Sequence, residues 1–118
     1  MRVKTGTVRK RRHNKFLKSA SGFRGRRKSC YPFAKRAVGR AQRFAYRDRK
    51  NRKRDFRALW ILRIGAAARA AGISYSRLVR GLKAARIALD RKILAQLAVN
   101  DPAAFGLIVE RAKGALSA

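Results

Sequence analysis

Residues 32–72 read PFAKRAVGRAQRFAYRDRKNRKRDFRALWILRIGAAARAAG. Proline suits the first position of a helix, and good helix formers then continue to Gly72, the next strong stop signal. Gly39 and Gly65 each weaken a helix by about 1 kcal/mol relative to alanine, so a bend or a break at either glycine stays open. The stretch predicts one long helix that begins near Pro32.

Cationic side chains recur along this helix at steps of three and four residues, which places them on one stripe. The members of this cationic stripe are Arg36, Arg40, Arg43, Arg47, Lys50, Arg54 and Arg57. Like charges on successive turns repel one another unless a partner neutralises them. Asp48 can pair with Arg52 one turn later, and we expect phosphate groups to neutralise the stripe.

The whole chain is strongly basic. Its 118 residues include 33 Lys and Arg against 5 Asp and Glu, a formal net charge of +28. Such a charge opposes compaction in isolation, and nucleic-acid phosphates are the commonest dense array of anions that could offset it. Arginine outnumbers lysine, which suits folded RNA because guanidinium groups form bidentate phosphate contacts and stack on bases.

The two halves of the chain differ in charge. Residues 1–57 hold 23 basic and 2 acidic residues, a net charge of +21, whereas residues 58–118 hold 10 and 3, a net charge of +7. The first half is too charged and too poor in large apolar side chains to fold alone. We therefore expect an all-α protein, in which a basic RNA-threading extension (residues 1–57, an arm plus the first part of the long helix) precedes a small helical RNA-binding globule (residues 58–118).

The first 31 residues mix basic clusters with glycine and serine, which favours an irregular arm. A short helix over about residues 7–20 is compatible with the arm, and Ser21-Gly22 would end it. Phe23 and Tyr31 have no obvious protein core in this segment, so we favour stacking of both rings on unpaired bases.

For the aromatic residues after residue 31, the predicted roles differ from one position to the next. For Phe44 and Tyr46, packing against protein and stacking on bases are about equally expected. Trp60 and Phe105 are expected in the core of the C-terminal globule.

Residues 73–118 are expected to form three short helices. Ser74 and Asp90 can cap the first two, and Asp101-Pro102 can open the third. Each helix repeats apolar side chains at helical spacing, as does the end of the long helix. The side chains expected to point inward are Phe56, Leu59, Trp60, Ile64, Ala67 or Ala68, Leu78, Val79, Leu82, Ile93, Leu94, Leu97, Phe105, Ile108, Val109, Ala112 and Leu116.

The sequence gives no support for catalysis. One His, one Cys and five scattered acids provide neither paired carboxylates nor a nucleophile with a neighbouring base. Cys30 and His13 cannot assemble a four-ligand zinc site, so we expect no catalytic, cofactor-binding or metal-binding residues. No apolar run approaches the roughly 20 residues of a membrane span, and we expect neither a membrane nor a small-molecule substrate as partner.

The predicted RNA-binding residues are cations of the arm and of the long helix, together with one histidine and two aromatic residues. They are Arg2, Lys4, Arg9, Lys10, Arg11, Arg12, His13, Lys15, Phe23, Arg24, Arg26, Arg27, Lys28, Tyr31, Arg36, Arg40, Arg43, Arg47, Arg49, Lys50, Arg52, Lys53, Arg54 and Arg57.

Residues 46–64, YRDRKNRKRDFRALWILRI, closely resemble the family of bacterial large-subunit ribosomal protein L-twenty. The resemblance covers essentially the whole chain through Arg2-Val-Lys-Thr-Gly6, Arg12-His13, Ala45-Tyr46, Gly72-Ile-Ser-Tyr-Ser76, Gly81-Leu-Lys-Ala84, Asp90-Arg-Lys-Ile-Leu-Ala95 and Ala104-Phe105. Two departures from the family pattern, Cys30-Tyr-Pro32-Phe and Gly39, bear on where the long helix begins and whether it is straight.

The resemblance implies a structural constituent of the large ribosomal subunit that binds 23S ribosomal RNA directly. It further implies a requirement in early assembly of the subunit, no part in peptidyl transfer, and neighbouring large-subunit proteins as partners. Some members also repress their own operon by binding the leader of its messenger. The implied location is the ribosome in the cytoplasm, although an Arg-rich start is also typical of organelle transit peptides and leaves an organelle ribosome open.

Two other classes of function compete with this interpretation. A histone-like DNA-compacting protein would share the charge and the helices, but it would bind duplex DNA as well as RNA. A cationic membrane-active polypeptide would need an apolar face opposite the cationic stripe, where this helix carries Arg49 and Arg52.

Overall fold

A computed structural model describes residues 4–117 of the chain. These residues form six helices and contain no strand, which confirms the all-α prediction. The helices are α1 (Gly6–Ser19), α2 (Arg26–Ser29), α3 (Tyr31–Ala70), α4 (Tyr75–Ala84), α5 (Arg91–Asn100) and α6 (Pro102–Ser117). The chain divides into two compact units, Met1–Lys50 (unit 1) and Asn51–Ala118 (unit 2). The functional division at residue 57 remains a prediction.

The predicted long helix is α3, which begins one residue before Pro32 and is interrupted neither at Gly39 nor at Gly65. Good helix formers on both sides of each glycine explain this continuity. The loss of about 1 kcal/mol at each glycine is small beside the helical preference summed over the flanking residues. The departures from the family pattern at Pro32 and Gly39 therefore leave α3 intact.

The end of α3 is fixed by a pair of backbone hydrogen bonds. Gly72 donates its N–H to the carbonyl of Arg69, and Ile73 donates to the carbonyl of Ala68, both at 3.0 Å. This pattern requires a left-handed residue, and Gly72 supplies it with φ +74°. The carbonyl of Ala71 accepts a further hydrogen bond from Nζ of Lys113 at 2.6 Å.

Unit 1 contains a small apolar cluster, formed by the end of α1 and the first turns of α3. Its buried members are Ala20, Ala34 and Val38, and the half-buried residues packed against them are Phe16, Leu17 and Phe23. Gly22, at φ +86°, turns the chain after α1. The short helix expected over about residues 7–20 is thus present as α1.

Unit 2 has the larger core, in which α6 packs against α4 and α5. Its buried residues are Ile64, Ala68, Ile73, Leu78, Leu82, Leu94, Ala95, Phe105, Val109 and Ala112, with Trp60 among the partly buried side chains packed against them. The predicted positions of Trp60 and Phe105 are confirmed. The N-caps are also confirmed: the side chains of Ser74, Asp90 and Asp101 accept the backbone N–H three residues later at 3.4, 2.8 and 2.9 Å.

Three predicted inward positions are wrong. Phe56 is 49% exposed and Leu59 is 37% exposed, because the core of unit 2 reaches back along α3 only as far as Trp60. Ile93 is 44% exposed, because α5 turns the next two residues along the chain, Leu94 and Ala95, toward the core.

Candidate nucleic-acid interface

The cationic stripe on α3 is fully presented to solvent. In unit 1, α3 exposes Arg36, Arg40, Arg43, Arg47 and Lys50. In unit 2, the two remaining members, Arg54 and Arg57, are exposed as well. A helix repeats every 3.6 residues, so steps of three and four keep successive cations on one side of it. The stripe predicted from spacing is therefore present on α3.

Only one cation of α3 has an acidic partner within the described part of the chain. Nε of Arg47 lies 2.7 Å from Oδ1 of Asp48, its neighbour in sequence. The pairing of Asp48 with Arg52 that the spacing allows is therefore not formed, because the adjacent guanidinium already occupies the carboxylate. The hydrogen bond that Arg47 donates to the carboxylate of Asp48 raises the pKa of Arg47.

Two of the aromatic residues predicted to contact RNA have protein partners. The Tyr31 ring stacks on the His13 ring with centroids 3.7 Å apart and planes 18° apart, and Phe16 meets it edge-on at 6.0 Å. Phe23 packs against the apolar cluster of unit 1. The premise that Phe23 and Tyr31 lack a protein core is thus wrong, while RNA contact by His13, Phe23 and Tyr31, all half-buried, remains a prediction.

The other predicted site residues are exposed cations. They are Lys4 before α1; Arg9, Lys10, Arg11, Arg12 and Lys15 on α1; Arg24, Arg26, Arg27 and Lys28 at and before α2; and Arg49, Arg52 and Lys53 on α3. Arg2 lies outside the described residues. Each of these described and exposed head groups can reach a phosphate without losing a protein partner, since none of them takes part in an ion pair within residues 4–117.

Unit 1 also contains an open groove of about 830 Å³ that combines phenylalanine rings with arginines. This aromatic–arginine groove is lined by Phe23, Phe33, Phe44, Arg24, Arg27, Arg36 and Arg40, together with Gly22, Ala37 and Ala41. The predicted RNA-binding residues include neither Phe33 nor Phe44, and for Phe44 packing against protein and stacking on bases are about equally expected. Their separation of about three helical turns was the available signal, because it aligns the two rings on one side of α3.

The ring of Phe44 has cationic neighbours on its own helix. Cζ of Arg47 lies 4.6 Å from the ring centroid, and Cζ of Arg40 lies 5.4 Å from it. Tyr46 is engaged in a similar way by Lys50, whose Nζ lies 4.3 Å from the ring centroid and 2.6 Å from the hydroxyl oxygen. Both rings are exposed, so packing against a protein core accounts for neither of them.

Residues 4–117 contain no cluster of three or more His, Cys, Asp or Glu side chains that could hold a metal ion. Cys30 is a half-buried free thiol. No helix in this part of the chain is both long enough and apolar enough to cross a membrane.

Comparison with known proteins agrees with the resemblance seen in the sequence. The profile of the family described as Ribosomal protein L20 matches residues 2–108. The chain is similar to the large ribosomal subunit protein bL20 of Methylibium petroleiphilum (60% identical over 116 residues), of Syntrophotalea carbinolica (60% over 115) and of Marinobacter nauticus (57% over 115). Each alignment covers 98% of this chain and 98% of the relative. The chain therefore belongs to the ribosomal protein L20 family.

Proposed function

We propose that this chain binds 23S ribosomal RNA directly, acts early in the assembly of the large ribosomal subunit and has no part in peptidyl transfer. Membership of the family makes it a structural constituent of the large subunit, located in the ribosome in the cytoplasm, and not an enzyme. Direct RNA contact and the role in assembly go beyond membership and rest on the surface of the protein.

The observation that carries the proposal is the cationic stripe of α3. Five of its members lie on consecutive turns in unit 1, all exposed, and only Arg47 has an acidic partner. Repulsion between cations on successive turns opposes this helix unless anions are placed along it. A folded RNA supplies such anions at the closely packed backbones of neighbouring helices, where guanidinium groups can bind phosphates bidentately.

In the proposed mechanism, the two parts of the chain have different roles in binding RNA. Residues 1–57 neutralise the phosphates of converging RNA helices, and residues 58–118 provide a structured domain that selects the RNA. Neutralisation matters most early in assembly, when RNA helices must first be brought together against their own repulsion. Neighbouring ribosomal proteins would then add to an RNA already held in place.

The leader of the messenger that encodes this chain is a second RNA ligand in the proposal. Phosphate contacts do not distinguish one folded RNA from another, so a leader that presents a similar surface would compete for the same cations. Competition between the leader and a 23S fragment for the protein would support this part. Independent binding of both at once would contradict it.

A gel-shift titration at near-physiological salt tests the proposal. Large-subunit ribosomal RNA fragments are compared with an unrelated structured RNA and with duplex DNA of equal length. We expect one ribosomal fragment to bind much more tightly than the other two ligands. Equal affinity for all three would contradict the proposal and favour the histone-like DNA-compacting alternative.

A further inference from the structure

The aromatic–arginine groove in unit 1 combines two features that phosphate binding alone does not require. Phe33 is 48% exposed and Phe44 is 40% exposed, and both rings line the groove. Phe23 also lines it, so three of the six phenylalanines in the chain meet in this one groove. Burial of large rings is favourable, and their exposure on an isolated chain indicates that another molecule covers them.

The charge of the groove identifies the class of that molecule. Arg24, Arg27, Arg36 and Arg40 contribute to the lining, and none of the described lining residues is acidic. An apolar protein segment would leave these four guanidinium groups without partners. A nucleotide satisfies both features, because its base stacks on an aromatic ring while its phosphate accepts hydrogen bonds from arginine.

The size of the groove fits such an occupant. Its volume of about 830 Å³ lies within the range of about 300–1,000 Å³ that is typical of small-molecule sites. Phe23 links the groove to the apolar cluster of unit 1, since it packs against that cluster and also lines the groove. One wall is therefore held in position before any ligand arrives, which lowers the entropy lost on binding.

We propose that the groove captures an unpaired, unstacked nucleotide of the bound RNA, with its base against Phe33 and Phe44 and its flanking phosphates on the surrounding arginines. The inference rests on the proposed function and adds a second mode of recognition to it. Paired bases are stacked within their helix and offer no free face to a phenylalanine ring. The groove therefore gives the basic extension a preference for RNA with a bulged base.

The test uses the full chain and two RNA hairpins closed by the same compact, stacked tetraloop, one with a fully paired stem and one identical except for a single bulged adenosine in the stem. At near-physiological salt we expect the bulged hairpin to bind about tenfold more tightly, within the range that stacking of one base on an aromatic ring provides. Phe33→Leu and Phe44→Leu should each reduce this ratio severalfold. Phe33→Tyr, which keeps a ring, should retain it.

Phe56 provides the matched control, because it is an equally exposed phenylalanine on α3 that does not line the groove. Phe56→Leu should leave the ratio unchanged, and circular dichroism should show the same helix content in every variant. A wild-type protein that binds both hairpins equally would overturn the inference, and so would a ratio that survives both groove substitutions or falls with Phe56→Leu.

A 23S fragment, measured alongside the hairpins, separates this inference from the proposed function. Selective binding of the fragment without any preference for the bulge would overturn the nucleotide site alone and leave the proposed function standing. An apolar segment of a neighbouring protein would then be the better occupant of the groove. Loss of selectivity for the fragment would instead contradict the proposed function.

Discussion

Gly81 on α4 lies directly against the backbone of Ala112 on α6. A Cβ atom added at Gly81 would lie 2.9 Å from the carbonyl carbon of Ala112, 3.0 Å from its Cβ and closer still to its carbonyl oxygen. Because backbone atoms cannot rotate away as a flexible side chain can, the two helices are packed at a distance that only glycine allows here.

Gly81→Ala should therefore lower the free energy of unfolding by about 1–3 kcal/mol, the usual cost of overpacking a core. Gly106→Ala is the matched control, since Gly106 lies within α6 and a Cβ there meets nothing within 4 Å. Alanine is the better helix former, so this control should be neutral or stabilising by up to about 1 kcal/mol. Urea unfolding of the full chain measures both. Equal stability of the two variants would show that the helices can separate without cost.

Arg86 has a left-handed backbone, with φ +54°, and is the one described non-glycine residue with positive φ. It ends α4 with the hydrogen-bond pattern that Gly72 provides at the end of α3: Arg86 donates to Lys83 at 3.1 Å, and Ile87 donates to Leu82 at 2.9 Å. Arg86→Gly should raise the free energy of unfolding by about 1 kcal/mol, because glycine adopts this conformation without strain.

Ala85→Gly controls for the general effect of glycine near this helix end. Ala85 has φ −71°, where alanine is unstrained, so this variant should be destabilised by about 0.5–1 kcal/mol. Opposite shifts of the thermal midpoint for the two substitutions are expected. A destabilised Arg86→Gly variant would mean that the side chain of Arg86 makes a larger contribution than its backbone strain costs.

The cationic stripe predicts a steep dependence of RNA binding on salt. With around ten phosphate contacts, affinity should fall by about five orders of magnitude between 50 and 200 mM salt. Arg43→Gln and Arg57→Gln should each reduce the slope of log affinity against log salt by about one unit. Arg111→Gln, an exposed cation of α6 outside the predicted interface, should leave the slope unchanged. The same reduction in all three variants would indicate a response to net charge alone.

A fragment of residues 1–57 should be largely unfolded in the absence of RNA. Two of the three buried residues in the unit 1 cluster are alanines, and so small a core cannot offset repulsion at a net charge of +21. Circular dichroism at low salt should show little helix, and helix should form when a 23S fragment is added. Stable helix in the free fragment would contradict coupled folding and binding.

Local patterns in the sequence predicted most of the helices. Steps of three and four residues predicted α3 and its stripe, and Ser74, Asp90 and Asp101 predicted where α4, α5 and α6 begin. These features depend on residues within one or two turns of each other, so they can be read along the chain. Spacing did not predict the Arg47–Asp48 ion pair or the exposed position of Ile93, since competing side-chain geometries and the rotation of a helix against its neighbours are outside a single helical pattern.

Charge and helix content thus follow from composition and short-range spacing alone. Contacts between distant segments required the folded chain: the His13–Tyr31 stack, the approach of Gly81 to Ala112, and the convergence of Phe23 with Phe33 in one groove. These residues meet because a turn at Gly22, or the packing of α6 on α4, brings distant segments of backbone together. The number of residues between two positions does not say whether they come into contact. Such contacts depend on which apolar surfaces are buried when the helices pack together.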